Sequence, residues 1–326
     1  MYIKDLKFSL WADFIQRDYL DGEFKELIKS QTINGATSNP AIFKNAILNS
    51  PAYKTQLATL TTLSPKEKYE ALAIYDIKKA AQILLPLYEG GDDGYVSIEV
   101  DPFLSDDALA TIEEGKRLHD AIGLPNVMIK VPATEAGYKA MEALVSVGIA
   151  VNATLIFKKE QAVLCAEAFA RGVKKFGKKV DTVISIFVSR VDRAIDEDLA
   201  KAGVAVSLAG IYNSADIYNK IIEMDVLGCR TLFASTGVKG DALPAHYYVE
   251  KLLAYNSVNT APVETIKAFV KDGKTGEALP IPTHTITAHM QKIQDAGIDL
   301  EAVLDAQIRD GLVAFEDAFK EILESL

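Results

Sequence analysis

The sequence predicts an α/β fold, a (β/α)8 TIM barrel, on three observations. Eight short apolar or β-branched runs recur along the 326 residues, and each is followed by a longer segment of helical periodicity. Several runs are apolar almost throughout, as expected of strands buried on both faces of a parallel sheet. The runs are FSLWAD (8–13), INGATSNP (33–40), YVSIEVDP (95–102), NVMIKVPA (126–133), GIAVNATLIF (148–157), TVISIFVSR (182–190), CRTLFAST (229–236) and SVNTAP (257–262). Strands alternating with helices over about 255 residues suit a closed barrel. An open doubly wound sheet calls for a glycine-rich phosphate fingerprint after an early strand, and no G-x-G-x-x-G occurs.

The helices carry their own punctuation. Ser64-Pro65-Lys66-Glu67 supplies an N-cap, a proline at the first helical position and a capping-box Glu, and that helix stops at Gly90-Gly91. Thr134 opens a helix that ends at Gly148, and another runs from Lys158 to about Gly177. Residues 41–94 are too many for one helix, so additional helices are expected between strands two and three. Beyond Pro262 the pattern is helical except for DGKTGEALPIP (272–282). Residues 1–326 thus read as a single barrel domain, with 263–326 a helical C-terminal extension packed on it.

Composition narrows the function. Lys plus Arg is 35 against Asp plus Glu 45, a formal charge of -10, which argues against a nucleic-acid partner. A few local cations can still hold a small anion on an acidic surface. Cys165 and Cys229 are too few for a disulfide framework and lie in apolar runs, so they read as small buried hydrophobes. The N-terminal residues lack the apolar core of a secretory signal. The longest uncharged stretch, Ala143 to Phe157, falls short of the ~18 apolar residues of a membrane span. A cytoplasmic chain with no membrane partner is expected. His119, His246, His284 and His289 lack ligand spacing, so no metal site is expected either.

Barrel enzymes place their chemistry at the C-terminal ends of the strands. Here those ends carry Asp13, Asn39, Glu99, Lys130, Asn152 with Thr154, Ser185, Arg190 and Ser235. Charged side chains inside apolar strands need a partner or a task. Lys130 stands alone among Val127, Met128, Ile129 and Val131. Desolvation disfavours an ammonium there, and a neutral amine is the form that attacks a carbonyl to make a Schiff base. The competing reading pairs Lys130 with Asp13 or Glu99 without chemistry. Asp13 and Glu99 are the candidate acid and base, since imine formation needs a proton given and aldol cleavage needs one taken. Against this, Glu99 could be a strand-end surface carboxylate, as Asp101 could, and Asp13 an N-cap for a helix from Phe14. Asn39 and Asn152 suit orientation of a polyol, although Asn39-Pro40 also fits a helix start. Arg190, Ser235 and Lys239 offer a phosphate site near the last strands.

The segment Ala36-Thr37-Ser38-Asn39-Pro40-Ala41-Ile42-Phe43 resembles the T-[ST]-N-P signature of the transaldolase family. Val127 to Thr134 is similar to the family's second signature, which holds the Schiff-base lysine, and SIEVDP, VNATLIF and SIFVSR match in order and spacing. The resemblance runs from about Phe8 to Pro262 and is compatible with the helical tail. It implies a cofactor-free class I aldolase barrel of the pentose phosphate pathway, acting on sugar phosphates as a monomer or homodimer. By match, Lys130 is the nucleophile, Asp13 and Glu99 transfer protons, and Glu99 and Thr154 hold a water. Asn39, Asn152 and Ser185 bind the dihydroxyacetone moiety, and Arg190 and Ser235 bind phosphate. Many members read S-F-R after strand seven, whereas this chain reads Ser235-Thr236-Gly237-Val238-Lys239, so Lys239 is expected in place of the phosphate-binding Arg.

The implied reaction moves a dihydroxyacetone unit from sedoheptulose 7-phosphate to glyceraldehyde 3-phosphate, giving erythrose 4-phosphate and fructose 6-phosphate. A fructose 6-phosphate aldolase shares the lysine and fold but is shorter and lacks the Glu at the end of strand three. A catalytically silent barrel acting as a scaffold is the alternative of a different class.

Overall fold

A computed structural model describes residues 2–326. Eight parallel strands close in sequence order, β1 to β8, with β8 paired back to β1. They are β1 (Ser9–Ala12), β2 (Gly35–Ala36), β3 (Tyr95–Glu99), β4 (Val127–Pro132), β5 (Val151–Ile156), β6 (Thr182–Phe187), β7 (Cys229–Ala234) and β8 (Ser257–Ala261). Every residue of β3, β4, β5 and β6 is buried, which is why these strands read as continuous apolar runs.

The helices are α1 (Arg17–Asp21), α2 (Glu23–Lys29), α3 (Pro40–Asn49), α4 (Lys54–Leu57), α5 (Pro65–Glu89), α6 (Ala108–Ile122) and α7 (Glu135–Val145) in the first half. The second half adds α8 (Lys159–Phe176), α9 (Ser189–Lys201), α10 (Ala209–Met224), α11 (Tyr247–Lys251), α12 (Val263–Asp272), α13 (Thr283–Asp295) and α14 (Leu300–Ser325). Their ends follow local chemistry. Ser64 and Glu67 close a reciprocal capping box on α5, and Thr134 Oγ1 accepts from Gly137 N at 3.0 Å to start α7. Gly177 ends α8 in the left-handed conformation at φ +79°, which costs glycine little. Along α5, Ala73, Ile77, Ala80, Ala81 and Leu84 repeat at helical spacing and are fully buried. The insertion between β2 and β3 is therefore two substantial helices, α3 and α5, joined by the short α4 and a 3-10 turn.

Several element ends differ from the sequence expectation. Strand β2 is only two residues long, because Asn39 and Pro40 already start α3. Strand β3 stops at Glu99, and Pro102 opens a 3-10 turn. The sixth strand ends at Phe187 and not at 190, so Arg190 belongs to the first turn of α9. Helix α7 ends at Val145, ahead of Gly148. Asp13 is no N-cap: the first helix begins at Arg17 with Gln16 before it, while Asp13 N stays in the sheet, donating to Ala261 O at 2.8 Å.

Residues beyond Pro262 do more than lean on the barrel. Helix α14 packs on α3, α5, α9 and β5, burying Leu304, Gly311, Phe315, Ala318, Phe319 and Ile322 along one stripe. A bulge interrupts β5 between Ala153 and Ile156, where Leu155 has φ +58° and points its side chain at α14. A Cβ on Gly311 would lie 2.9 Å from Leu155 Cδ2. Glycine there lets the helix approach closely enough to lay Phe315 over the barrel mouth.

Candidate active site

Two openings compete for attention. The larger, about 350 Å³, lies at the N-terminal end, bordered by Asp93, Tyr95, Asp181, Cys229, Arg230 and Asn256 among others. Its buried charges are already matched: Arg230 holds Asp93 at 2.8 Å, and Trp11 Nε1 donates to the same carboxylate at 3.1 Å. The smaller cavity, about 140 Å³, lies at the C-terminal mouth. Asp13, Thr37, Asn39, Lys130, Asn152, Thr154, Ser185, Arg190, Ser235 and Phe315 are among its lining residues. Barrel chemistry belongs at this end.

Sheet register aligns the central residues. Glu99 on β3 is paired with Lys130 on β4, and Lys130 with Asn152 on β5, so three polar side chains share one level of the interior. Lys130 Nζ lies 3.4 Å from Glu99 Oε2 and donates to Ser38 O at 3.1 Å. Its third neighbour is the Phe315 ring, with the centroid 5.7 Å from Nζ. Burial pushes the Glu99 carboxyl up to about 7; the Lys130 charge opposes that rise, and the Asp13 charge adds to it. Thr154 Oγ1 is buried without a hydrogen-bond partner and lines the cavity, so it can take a polar group of substrate. Glu99 Oε2 meets only the Lys130 charge, and its residue borders a small cavity with Tyr69, Glu114 and Phe319 and not the mouth itself.

Asp13 faces Lys130 from β1. Its Oδ1 accepts from Thr37 Oγ1 at 2.7 Å, and Thr37 is tied to Thr260 at 2.6 Å. Burial raises the Asp13 carboxyl above the ordinary Asp value, while Lys130, the Thr37 hydrogen bond and Arg190 hold the rise in check. Two carboxyls, both shifted upward, thus flank one amine. Perturbed carboxyls around a buried amine are the arrangement that proton-transfer chemistry uses.

The remaining residues divide by their partners. Asn39 serves both readings of its sequence: Oδ1 caps α3, accepting from Ile42 N at 3.0 Å, and the residue also lines the cavity. Asn152 is fixed in a polar chain, donating to Ser97 Oγ at 3.0 Å and accepting from Ser185 Oγ at 2.6 Å. Arg190 stacks near Phe187 at 5.2 Å. Burial and the Arg193 charge hold Arg190 below its ordinary value, opposed by Asp13 and Asp310. Ser235, at φ +55°, faces Ser189 with 3.2 Å between hydroxyl oxygens. Lys239 is exposed and does not line the cavity.

Comparison with known proteins settles the kinship of this site. The sequence model described as "Transaldolase/Fructose-6-phosphate aldolase" matches residues 10–326. The chain belongs to the transaldolase/fructose-6-phosphate aldolase family. A Campylobacter jejuni (strain RM1221) protein named transaldolase is 46% identical, with 98% of this chain and 99% of that protein covered. A Helicobacter pylori (strain ATCC 700392 / 26695) protein of the same name is 43% identical over the same shares. Within this family member, sequence reasoning overlooked Thr37 and Phe315. Thr37 stands two residues before Asn39 in the first signature, so the signature itself points to it. Phe315 has no local signal, being one apolar residue of an amphipathic helix. Among the described residues no cluster of His, Cys, Asp and Glu could hold a metal ion, and no helix is long and apolar enough to cross a membrane.

Proposed function

We propose that this protein is a transaldolase of the pentose phosphate pathway that moves a dihydroxyacetone unit between sugar phosphates through a Schiff base on Lys130. The observation that carries the reading is a single buried amine, 3.4 Å from one carboxylate and facing a second, in a cavity at the barrel mouth. Proton transfer from Nζ to the Glu99 carboxylate frees the lone pair of Lys130, and a carboxylate whose conjugate acid has a pKa near 7 accepts that proton more readily than an ordinary one. The amine adds to the C2 carbonyl of sedoheptulose 7-phosphate. Loss of the carbinolamine hydroxyl as water, with a proton returned by Glu99, gives the imine. Thr154 Oγ1, whose burial without a partner supports the role, holds that hydroxyl or the departing water.

Asp13, which lies within the fields of both Lys130 and Arg190, takes the proton of the C4 hydroxyl. The C3–C4 bond breaks, its electron pair passes into the protonated imine, and erythrose 4-phosphate leaves. The enamine attacks the aldehyde carbon of glyceraldehyde 3-phosphate, Asp13 returns the proton to the new C4 oxygen, and hydrolysis of the imine releases fructose 6-phosphate. Asn39, Asn152 and Ser185 orient the three-carbon unit, and Phe315 covers the amine. Because the covering residue comes from the C-terminal helices, residues 1–326 act as one unit. Reaction in the cytoplasm, by a monomer or homodimer, accords with unpaired cysteines and an acidic surface.

Product analysis tests the reading directly. With sedoheptulose 7-phosphate alone, the protein should release little free dihydroxyacetone. Adding glyceraldehyde 3-phosphate should give erythrose 4-phosphate and fructose 6-phosphate in equal amounts. Dihydroxyacetone formed as the main product in both mixtures would make the protein an aldolase instead. A companion expectation concerns the phosphate. Arg190→Ala should lower kcat/KM for fructose 6-phosphate by roughly 10- to 150-fold, the scale of one lost charged hydrogen bond, and far less for fructose. Equal losses on both sugars would take Arg190 out of phosphate recognition.

A further inference from the structure

Two guanidinium groups stand on successive turns at the start of α9. Arg190 lines the cavity, whereas Arg193 is exposed and does not itself line it, being linked to it through Ser189 and the cavity-lining Ser235. Arg193 Nη1 donates to Ser189 Oγ at 2.8 Å, and Ser189 Oγ lies 3.2 Å from Ser235 Oγ, which opens on the same cavity. The two cations are close enough for Arg193 to lower the Arg190 pKa by direct repulsion. Elsewhere Arg17, Arg117, Arg171 and Arg230 each hold a carboxylate, but neither Arg190 nor Arg193 forms an ion pair among the described residues. Asp192, between them in sequence, does not neutralise them. It is turned into the core, where Oδ1 accepts from Gly210 N at 2.7 Å.

Like charges held together beside two hydroxyls favour an anion that bridges them. The positive end of α9 adds to that attraction. We propose that Arg193 is a phosphate-binding, specificity-determining residue, which with Arg190, Ser189 and Ser235 grips the terminal phosphate of the sugar substrates. A phosphate dianion can take the Arg190 fork, a free N–H of Arg193 and the serine hydroxyls at once. The inference rests on the transferase reading above. It places the second cation one helical turn from the first, joined to the cavity-lining Ser235 through the Ser189 hydroxyl.

The test compares wild type with Arg193→Ala, Arg193→Lys and, as a remote charge control, Arg171→Ala. Two quantities are read: the ratio of kcat/KM for fructose 6-phosphate to that for fructose, and the inhibition constant of inorganic phosphate. Arg193→Ala should lower the ratio and weaken phosphate inhibition on the order of 10-fold, with Arg193→Lys in between and Arg171→Ala unchanged. The effect should shrink at high ionic strength, because the group is at the surface. An unchanged ratio and inhibition constant in Arg193→Ala would overturn the proposal. Failure of wild-type protein to form a borohydride-trapped adduct would overturn the underlying reading instead, so the two failures are distinguishable.

Discussion

Replacing Lys130 by Ala should reduce transferase turnover on the order of 10⁴-fold or more, the scale on which removal of a covalent nucleophile acts. Incubation of wild type with fructose 6-phosphate and borohydride should add a dihydroxyacetone-derived mass at Lys130, and the variant should take up none. Labelling at another lysine, such as Lys4 or Lys44, would refute the assignment. The same substitution has a second consequence. It leaves Glu99 buried without its counter-charge, and breaking such a pair costs about 3–5 kcal/mol when the remaining group stays ionised. Glu99 escapes part of that cost by keeping its proton. Its folded pKa already stands near 7 against an ordinary 4.5, and loss of the lysine raises it further. The folded state then holds a proton that the unfolded chain has released, so stability falls as pH rises through this window. Lys130→Ala should accordingly lose more stability at pH 8 than at pH 5, measured against wild type by urea unfolding. A destabilisation independent of pH would mean that the two side chains are not coupled.

For Glu99→Gln, turnover should fall by about 10²- to 10⁴-fold while the fold persists, as for loss of a positioned general acid–base group. The pH profile separates this role from simple packing. In wild type, kcat/KM should decline as pH drops through the region near 7, where the buried carboxyl gains a proton and can no longer accept one from Lys130. Because amine and carboxylate titrate as a coupled pair, that limb belongs to both groups together. Glutamine cannot titrate, so the limb should vanish in the variant. Wild-type turnover in Glu99→Gln would show that the carboxylate only balances the lysine charge. An acid limb that persists would transfer the titration to Asp13, whose carboxyl is also raised by burial.

The residues explain why part of this protein was legible without coordinates. Lys130 betrayed itself because an ionisable group inside an apolar strand is costly, and the run Val127 to Val131 leaves it no local partner. Ser64, Thr134 and Gly177 announced helix ends because caps act within one turn of chain. The repeated buried strands determined the barrel, and the period of two in VNATLIF put Asn152 and Thr154 on the inner side together. Local periodicity and local hydrogen bonding are properties of neighbouring residues, so a sequence states them outright.

Contacts between distant segments are a different matter. Phe315 reaches Lys130 because α14 settles on the barrel with Gly311 against Leu155, an approach decided by packing between segments far apart in the chain. Arg190 was read as the end of a strand, yet β6 stops at Phe187, and the helical phase that begins at Ser189 carries Arg193 round to the Ser189 hydroxyl. Lys239 looked like the second cation by its place in the loop, yet its side chain is exposed and does not line the cavity. The sequence determined the barrel, its helix ends and the lone buried lysine, because each follows from periodicity and capping within a few residues. Only the tertiary structure decided what covers the amine and which side chains line the cavity, because those depend on how closely separate elements can pack.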